Sequence, residues 1–537
     1  MINNNPDVGL EQFVPTEDTR KITGVRRDTI NEKVLQTIIK EFLNSENYNE
    51  MLESDKYYES KNSKISDRQK MMMLYDEKEK IINGKTVKEE YPYTAPDLSK
   101  ANHKLAHGYL YELVNQCKDY LVGNPVKTEY DKKIPKKLID FIDDILYKHN
   151  DWGKFNQENV KNAQKYKIGW SRVVIDDTKG TLKLLNVNSK QVIPFYDDFD
   201  ELTCIIYLYS KTEYDDKGKK KEIKYAEVFD EQYKDVYTNS GKGTLYTLKD
   251  KDVPLLQKIT SYGEELATSE VLSWNRIPWV CWKYNDDNID ALQPIKCFID
   301  IMDIDLSDLA NNIDDIQDAI WVLENYEGQS ISQFMEDLKI KKAINLGEGG
   351  SAKPQTVEIP TEAREKLYER CEKNIYRFGR GINFADRDNL GNASGVALKW
   401  SYGPLDEKAD DLEENGQIAL NDLFNLIFTY LNAIGEYSDE YDSNDIKFIF
   451  DRHMITNEKE QVEMVADSMD IVSRKTALSH HPFVEDAELE MEEIDNDPYN
   501  LEGVDENETE TDEQEDEEEE RTTTEDNKKK DSKNISK

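Results

Sequence analysis

Apolar and polar positions divide the chain into helical, strand-rich and low-complexity stretches. Residues 1–26 are polar, carry Pro6 and Pro15 and keep no sustained period, so a flexible arm is expected. From Asp28 to Leu52 the apolar residues Ile30, Val34, Ile38 and Phe42 recur at fours, which predicts one face of an amphipathic helix. A second helix is expected from about Pro96 to Leu121, stopped by Gly123-Asn124-Pro125. The middle then changes period. RVVIDD (172–177), TLKLLNV (181–187), CIIYLYS (204–210), YAEVFD (225–230), DVYT (235–238), TLYTL (244–248) and WVCWKY (279–284) are rich in β-branched and aromatic residues. Most are separated by Gly-, Asp- or Asn-bearing turns, as in a meander of short antiparallel strands, so a mixed α+β domain is expected.

The most regular segment follows. Ile295, Ile299, Met302, Leu306, Leu309, Ile313, Ile316 and Ile320 are spaced 4,3,4,3,4,3,4, a continuous seam along a helix over 291–320. At 1.5 Å per residue such a helix is on the order of 40 Å long. No basic residue lies between Lys296 and Lys339, while Asp300, Asp303, Asp305, Asp308, Asp314, Asp315 and Asp318 occupy the other faces, which predicts an acidic exterior. An ordinary bundle helix with a solvated acidic face gives the same pattern. Residues 321–360 shorten into WVLEN, KAINLG and TVEIP between Gly-rich turns, a small β unit, and a helix is expected from Thr361 to about Arg377. A long helical stretch over 396–434 carries Gly403-Pro404, where a kink or break is expected. IKFIF (446–450) reads as a strand and 457–475 as a helix, and beyond Asp495 too few apolar groups remain to offset ordering entropy.

Charge narrows the functional classes. The 537 residues hold 70 Lys+Arg against 111 Asp+Glu, a formal net charge of −41. Residues 485–520 hold 21 acidic and no basic residues and the last segment is Lys-rich, leaving −23 on residues 1–484. A surface this acidic is unsuited to static gripping of phosphates, although passage of DNA stays open. No window reaches the ~18 apolar residues of a membrane span, the most apolar stretch, Leu423 to Ile434, being broken by Asn425, Thr429 and Asn432. The N-terminal sequence lacks a signal-peptide pattern, so a cytoplasmic site of synthesis is expected. Five cysteines without a CxxC suit reduced packing thiols.

Candidate chemistry mostly fails on its necessary parts. His103 and His107 stand one turn apart on the expected second helix, but Lys104 occupies the position where a zinc protease carries its general base. In 347–354, GEGGSAKP, Ala352 and Pro354 replace the glycine and hydroxyl of a phosphate loop, which leaves a β-turn connection. GNASG (391–395) puts its serine one position late for a nucleophile elbow. Asp197, Asp198, Asp200 and Glu201, between two strands, fit a hairpin turn better than a cation site. No catalytic, cofactor-binding or metal-binding residue is assigned, and no cofactor or enzymatic activity is expected.

Several segments in order resemble the portal family of siphophages of Gram-positive hosts: YLVGNPV (120–126), GWSRVVID (169–176), VIPFYDD (192–198), NRIPWVCWKYND (275–286), GNASGVALKW (391–400) and SHHPFVEDAELEMEEI (479–494). The resemblance runs from about residue 30 to 495; the tail and the charged 211–224 segment depart from it. It implies an α+β portal fold: a flexible arm (1–26), a mixed α/β wing (27–290), a stem helix (291–320) and a small β-containing clip (321–360). A second stem helix (361–379), a tunnel loop (380–395), a kinked helix with a wing strand (396–456), crown helices (457–495) and a disordered tail (496–537) follow. Asp386, Arg387, Asp388, Asn389, Leu390, Gly391, Asn392, Ala393 and Ser394 would face DNA, and Ile299, Met302, Leu306, Leu309, Ile313 and Ile316 would form the stem interface between subunits. The function implied is a ring-shaped channel at one capsid vertex for genome packaging and ejection, a homo-oligomer expected to be a dodecamer. Its implied partners are the terminase large subunit, the head-tail connector, the major capsid and scaffolding proteins, and double-stranded DNA passing without sequence specificity, with no membrane. Its place would be the virion, after assembly in the host cytoplasm. The alternative is an acidic coiled-coil scaffold or adaptor that does not contact DNA.

Overall fold

The computed structural model describes residues 24–496 except 83–84, 98–99, 177–179, 215–217, 240, 242–244, 263–265, 316–319, 325–350, 356–360, 385–394, 436–440, 453–457 and 485–486. The chain forms two units, 1–454 and 455–537. The amphipathic pattern after residue 28 resolves into two helices, α1 (Glu32–Leu43) and α2 (Glu46–Tyr58), because Asn31 and Ser45 each cap a new start: Asn31 Oδ1 accepts from Lys33 N and Val34 N, and Ser45 Oγ from Tyr48 N. The buried face is also turned from the expected one. Leu35 and Ile39 are enclosed while Val34 is exposed.

A short helix α3 (Ser63–Ser66) leads into a ribbon, β1 (Met71–Ile82) and β2 (Lys85–Pro96), paired antiparallel from Met71 opposite Pro96 to Ile82 opposite Lys85. The expected helix from Pro96 begins only at Tyr109: α4 spans Tyr109–Val122. Residues 101–108 have no regular secondary structure. Next come β3 (Lys127–Tyr130), α5 (Lys136–Asp143) and α6 (Trp152–Tyr166). Strands β4 (Ile168–Asp176), β5 (Thr181–Val187), β6 (Val192–Tyr196), β7 (Leu202–Tyr214), β8 (Lys220–Phe229), β9 (Tyr233–Asn239) and β10 (Thr247–Pro254) realise the meander. A hairpin of β11 (Leu256–Tyr262) and β12 (Leu266–Leu272) and then β13 (Trp279–Lys283) complete it. The sheets have the orders β10-β9-β8-β7-β6 and β13-β4-β5.

Helix α7 covers Lys296–Asp315, shorter than the expected 291–320 and about 30 Å long by its rise. Asp290 caps the turn before it by accepting from Leu292 N and Gln293 N. Ile320, the last residue of the expected seam, belongs instead to β14 (Ile320–Glu324), which pairs with β15 (Ser351–Gln355). Ser351 to Pro354, read from sequence as part of a turn, are therefore strand residues, and KAINLG and TVEIP lie outside the described residues. Helix α8 (Thr361–Phe378) matches its expectation. Helix α9 (Gly395–Ile434) runs through Pro404 as one element, so the missing amide interrupts one hydrogen bond without ending the helix. Strand β16 (Ile446–Ile449) returns to pair with β3.

In the first unit, α9 lies against β13, α4 and α6 in the largest core, which includes Trp152, Trp282, Leu412, Leu423 and Phe424. Trp152 and Trp282 direct their indole N–H groups to Val126 O (2.8 Å) and Leu412 O (3.1 Å), which removes the cost of burying these donors. Gly416 is required there, since a Cβ would meet the Trp282 ring at 2.5 Å. A separate core joins α1 to one face of the five-stranded sheet through Leu35, Ile39, Phe195, Ile206 and Val228. The second unit, taken by itself, has α10 (Glu458–Ser468), α11 (Arg474–Ser479) and α12 (Ala487–Asn496). Ser473 caps α11 through Thr476 N, splitting the helix expected over 457–475.

Candidate functional site

The seam on α7 has two fates. Its N-terminal half turns inward, where Ile295, Ile299 and Met302 are fully buried with Leu110 and Leu113 of α4 and Cys371 and Ile375 of α8. Ile299 and Met302 are therefore core residues of the subunit, because α8 folds back over them, and the expected interface between subunits does not include them. Further along, Leu306 and Leu309 are half-buried, Ile313 is 56% exposed, and Ile316 lies outside the described residues. Arg364 of α8 also reaches Asp305 (3.4 Å), and Phe298 stacks on Phe378 at 5.7 Å.

The acidic exterior expected of α7 is corrected more strongly. Asp300, Asp303, Ser307 and Asn311, spaced 3, 4 and 4, are all buried. Residues 101–108 run antiparallel along this stripe as a strap. His107 N donates to Asp303 Oδ1 (2.9 Å), Leu105 N to Ser307 Oγ (3.0 Å) and His103 N to Asn311 Oδ1 (2.6 Å). The match is metric: four helical residues advance about 6 Å, and two extended residues advance about 6.6 Å. Every second amide of the strap therefore meets successive turns of the helix.

Histidines 103 and 107 lie on this strap rather than on a helix, and they serve it. His107 Nδ1 contacts Asp303 Oδ1 (2.6 Å) and its Nε2 contacts Tyr368 OH of α8 (2.8 Å), while His103 Nε2 reaches Asp314 (2.5 Å). Asp300 is held by Tyr57, by Asn62 Nδ2 (3.1 Å), by Lys296 (3.0 Å) and by Lys64 (3.1 Å). Burial pushes its carboxyl up, but the bonds from Tyr57, Lys296 and Lys64 outweigh that and hold it below the usual carboxylate range. Burial and the same carboxylate push the Tyr57 phenol up. Arg68 pairs with Asp308 at 2.6 Å. These carboxylates are thus occupied in holding residues 57–68 and 103–107 to α7.

The expected DNA-facing residues Asp386 to Ser394 lie outside the described residues. Their anchors do not. Ile382 N and O bond the Gln116 side chain, each at 2.8 Å, and Arg380 reaches Asp411 at 2.9 Å. On the other side Trp400 of α9 is 79% exposed. Asp197 is a hairpin residue as expected, its Oδ1 accepting from Phe199 N (2.9 Å) and Glu201 N (3.0 Å). The strap was missed from sequence; its signal was the polar stripe Asp300, Asp303, Ser307, Asn311, which repeats with the same period as the apolar seam.

The fold is thus mixed α+β, with the buried carboxylates Asp300 and Asp303 of α7 spent on bonds within the chain. The chain belongs to the phage portal protein family, SPP1 Gp6-like, whose family model matches residues 44–498. The chain is 29% identical over 408 residues to the portal protein of Clostridium phage phiCD119, covering 73% of this chain and 84% of that one. It is 25% identical over 408 residues to the portal protein of Bacillus phage SPP1, covering 74% and 77%. Among solved structures, a chain described as part of the neck of an empty GTA particle, computed with C6 symmetry, is 11% identical over 70% of this chain and 90% of that one, with a TM-score of 0.40. Portal function follows from the family, which is structural; the coiled-coil scaffold alternative is not favoured.

Proposed function

We propose that identical copies of this chain close into a ring, expected to have twelve members, at one vertex of the virion capsid, assembled in the host cytoplasm. Double-stranded DNA passes through the ring during packaging and ejection without being read for sequence. The observation that carries this reading is the family match over residues 44–498. In it, residues 27–290 act as wing, 291–320 and 361–379 as stem, 321–360 as clip, 380–395 as tunnel loop, 396–456 as kinked helix with wing strand, and 457–495 as crown. The stem interface uses the less buried part of the seam, Leu306, Leu309 and Ile313, with Ile316 next in the sequence spacing. A closed ring makes each of these contacts heterologous and repeats it around the circle. The terminase large subunit, the head-tail connector, and the capsid and scaffolding proteins are the proposed partners, and Asp386 to Ser394 the residues nearest DNA.

Light scattering after size exclusion tests the assembly. A discrete species of about twelve subunit masses supports the ring, whereas one subunit mass of 62.5 kDa at every concentration and salt would refute it.

A further inference from the structure

Helix α8 turns a basic stripe to solvent. Lys366, Arg370, Lys373 and Arg377 follow one another at 4, 3 and 4 residues, so they share one helical face, and all four are exposed. By the helical period that face lies opposite Cys371 and Ile375, which are buried with residues of α7. Lys366 pairs with Glu362 at 2.6 Å, whereas Arg370, Lys373 and Arg377 make no ion pair among the described residues. Like charges at these spacings repel one another, so an anionic partner would stabilise the stripe.

A complementary stripe lies on α9. Glu407, Asp411 and Glu414 follow at 4 and 3 residues and are exposed, on the side away from the buried Leu405, Ala409 and Leu412. Asp411 is shared with Arg380 at 2.9 Å, and Glu407 and Glu414 make no ion pair among the described residues. The same face continues to two exposed apolar side chains, Trp400 before the acidic stripe and Ile418 after it. Arg370 to Arg377 and Glu407 to Glu414 are each seven residues of helix, about 10 Å of rise. The cation spacing of 3 and 4 matches the carboxylate spacing of 4 and 3 when the two helices run antiparallel.

We propose that these faces form one interface: the basic stripe of α8 on one copy docks against the acidic stripe of α9 on the next copy, with Trp400 and Ile418 covering its two ends. The inference rests on the portal ring reading and adds to it a contact separate from the seam of α7. A ring needs two different faces that fit each other on every copy, and a chain carrying both stripes meets that requirement. Complementary charge also fixes which faces meet, because like-charged faces repel. The competing occupant of the α8 stripe is the phosphate backbone of DNA, which leaves the α9 stripe and its exposed apolar ends without a partner.

Charge reversal on the full chain tests it, read by size exclusion with light scattering. Arg370→Glu/Lys373→Glu gives a chain with two acidic faces, and Glu407→Lys/Glu414→Lys gives one with two basic faces. Each alone should lose the assembled species at low salt, and the loss should shrink as salt screens the repulsion. An equimolar mixture should recover the assembled species, with the two kinds alternating around the ring, and so should a chain carrying all four changes. Such recovery also shows that the variants fold. Either double variant assembling alone at low salt as wild type does would overturn the proposal and leave the ring reading intact. So would failure of the mixture or of the quadruple variant to assemble. Normal rings of the α8 variant that package shorter DNA would also overturn it, assigning that stripe to phosphate. A wild-type chain that never assembles would overturn both readings.

Discussion

Lys408 shows what a single enclosed charge does to this fold. It sits within α9 at 2% exposure, its ammonium 3.4 Å from Gly379 O and 3.5 Å from Leu113 O, both long for hydrogen bonds. Burial pushes its pKa down. A lysine whose folded pKa is lowered leaves the unfolded chain with more bound protons, so stability rises with pH through the window below the ordinary lysine value. Lys408→Met should therefore raise stability near neutral pH by roughly 1–3 kcal/mol and flatten that dependence, as followed by denaturant melts from pH 7 to 10. The opposite sign is expected at Gly416, where alanine would push the Trp282 ring from α9 and cost about 1–3 kcal/mol. On α7, Ser307→Ala and Asn311→Ala each remove the acceptor of a part-buried strap amide, Leu105 N and His103 N. Each should cost about 0.5–1.5 kcal/mol and speed exchange at residues 103–107.

At the scale of elements, α7 can be divided by mutation. Met302→Ala removes buried volume inside the subunit and should lower the melting temperature, with a loss of about 2–5 kcal/mol, while rings still form. Ile313→Asp, at an exposed position, should leave the subunit's melting unchanged and block assembly, read by size exclusion. How much of this was legible follows from which contacts are local. Most strands between 168 and 239, and β13, were readable because β-branched and aromatic residues cluster between turn residues, whereas β10 begins later than the expected 244–248 run and the β11–β12 hairpin was not expected; α8 was readable because its helical pattern is uninterrupted. The β1–β2 ribbon escaped because its charges, from Asp76 to Lys80 and at Lys85 and Lys88 to Glu90, hide alternation, although Asn83-Gly84 directly after Ile81-Ile82 was its signal. The aspartates of α7 were taken as exterior because a helix cannot announce that a segment some 200 residues earlier will cover it. The buried half of the seam was taken for an interface between subunits for the same reason: the partner for Ile299 and Met302 is α8 of the same chain.

At the scale of the whole molecule, the acidic balance sets how DNA can be handled. With −41 formal charge on the chain, −23 of it before residue 485, a ring of these copies would repel phosphate on average, which would suit a polyanion that must move. Asn389→Lys/Asn392→Lys would add two cations per copy, repeated around the ring, and make salt-dependent phosphate contacts. Such particles should assemble and package shorter DNA, recovering as ionic strength rises; wild-type length at low salt would remove this loop from the tunnel. Deleting residues 496–537 should leave assembly unchanged, because that stretch offers little apolar area. The central claim, a closed ring around a channel, is most directly tested by negative-stain imaging of the purified full chain. The account predicts compact rings with a stain-filled central hole, and extended rods or uniformly single subunits would contradict it.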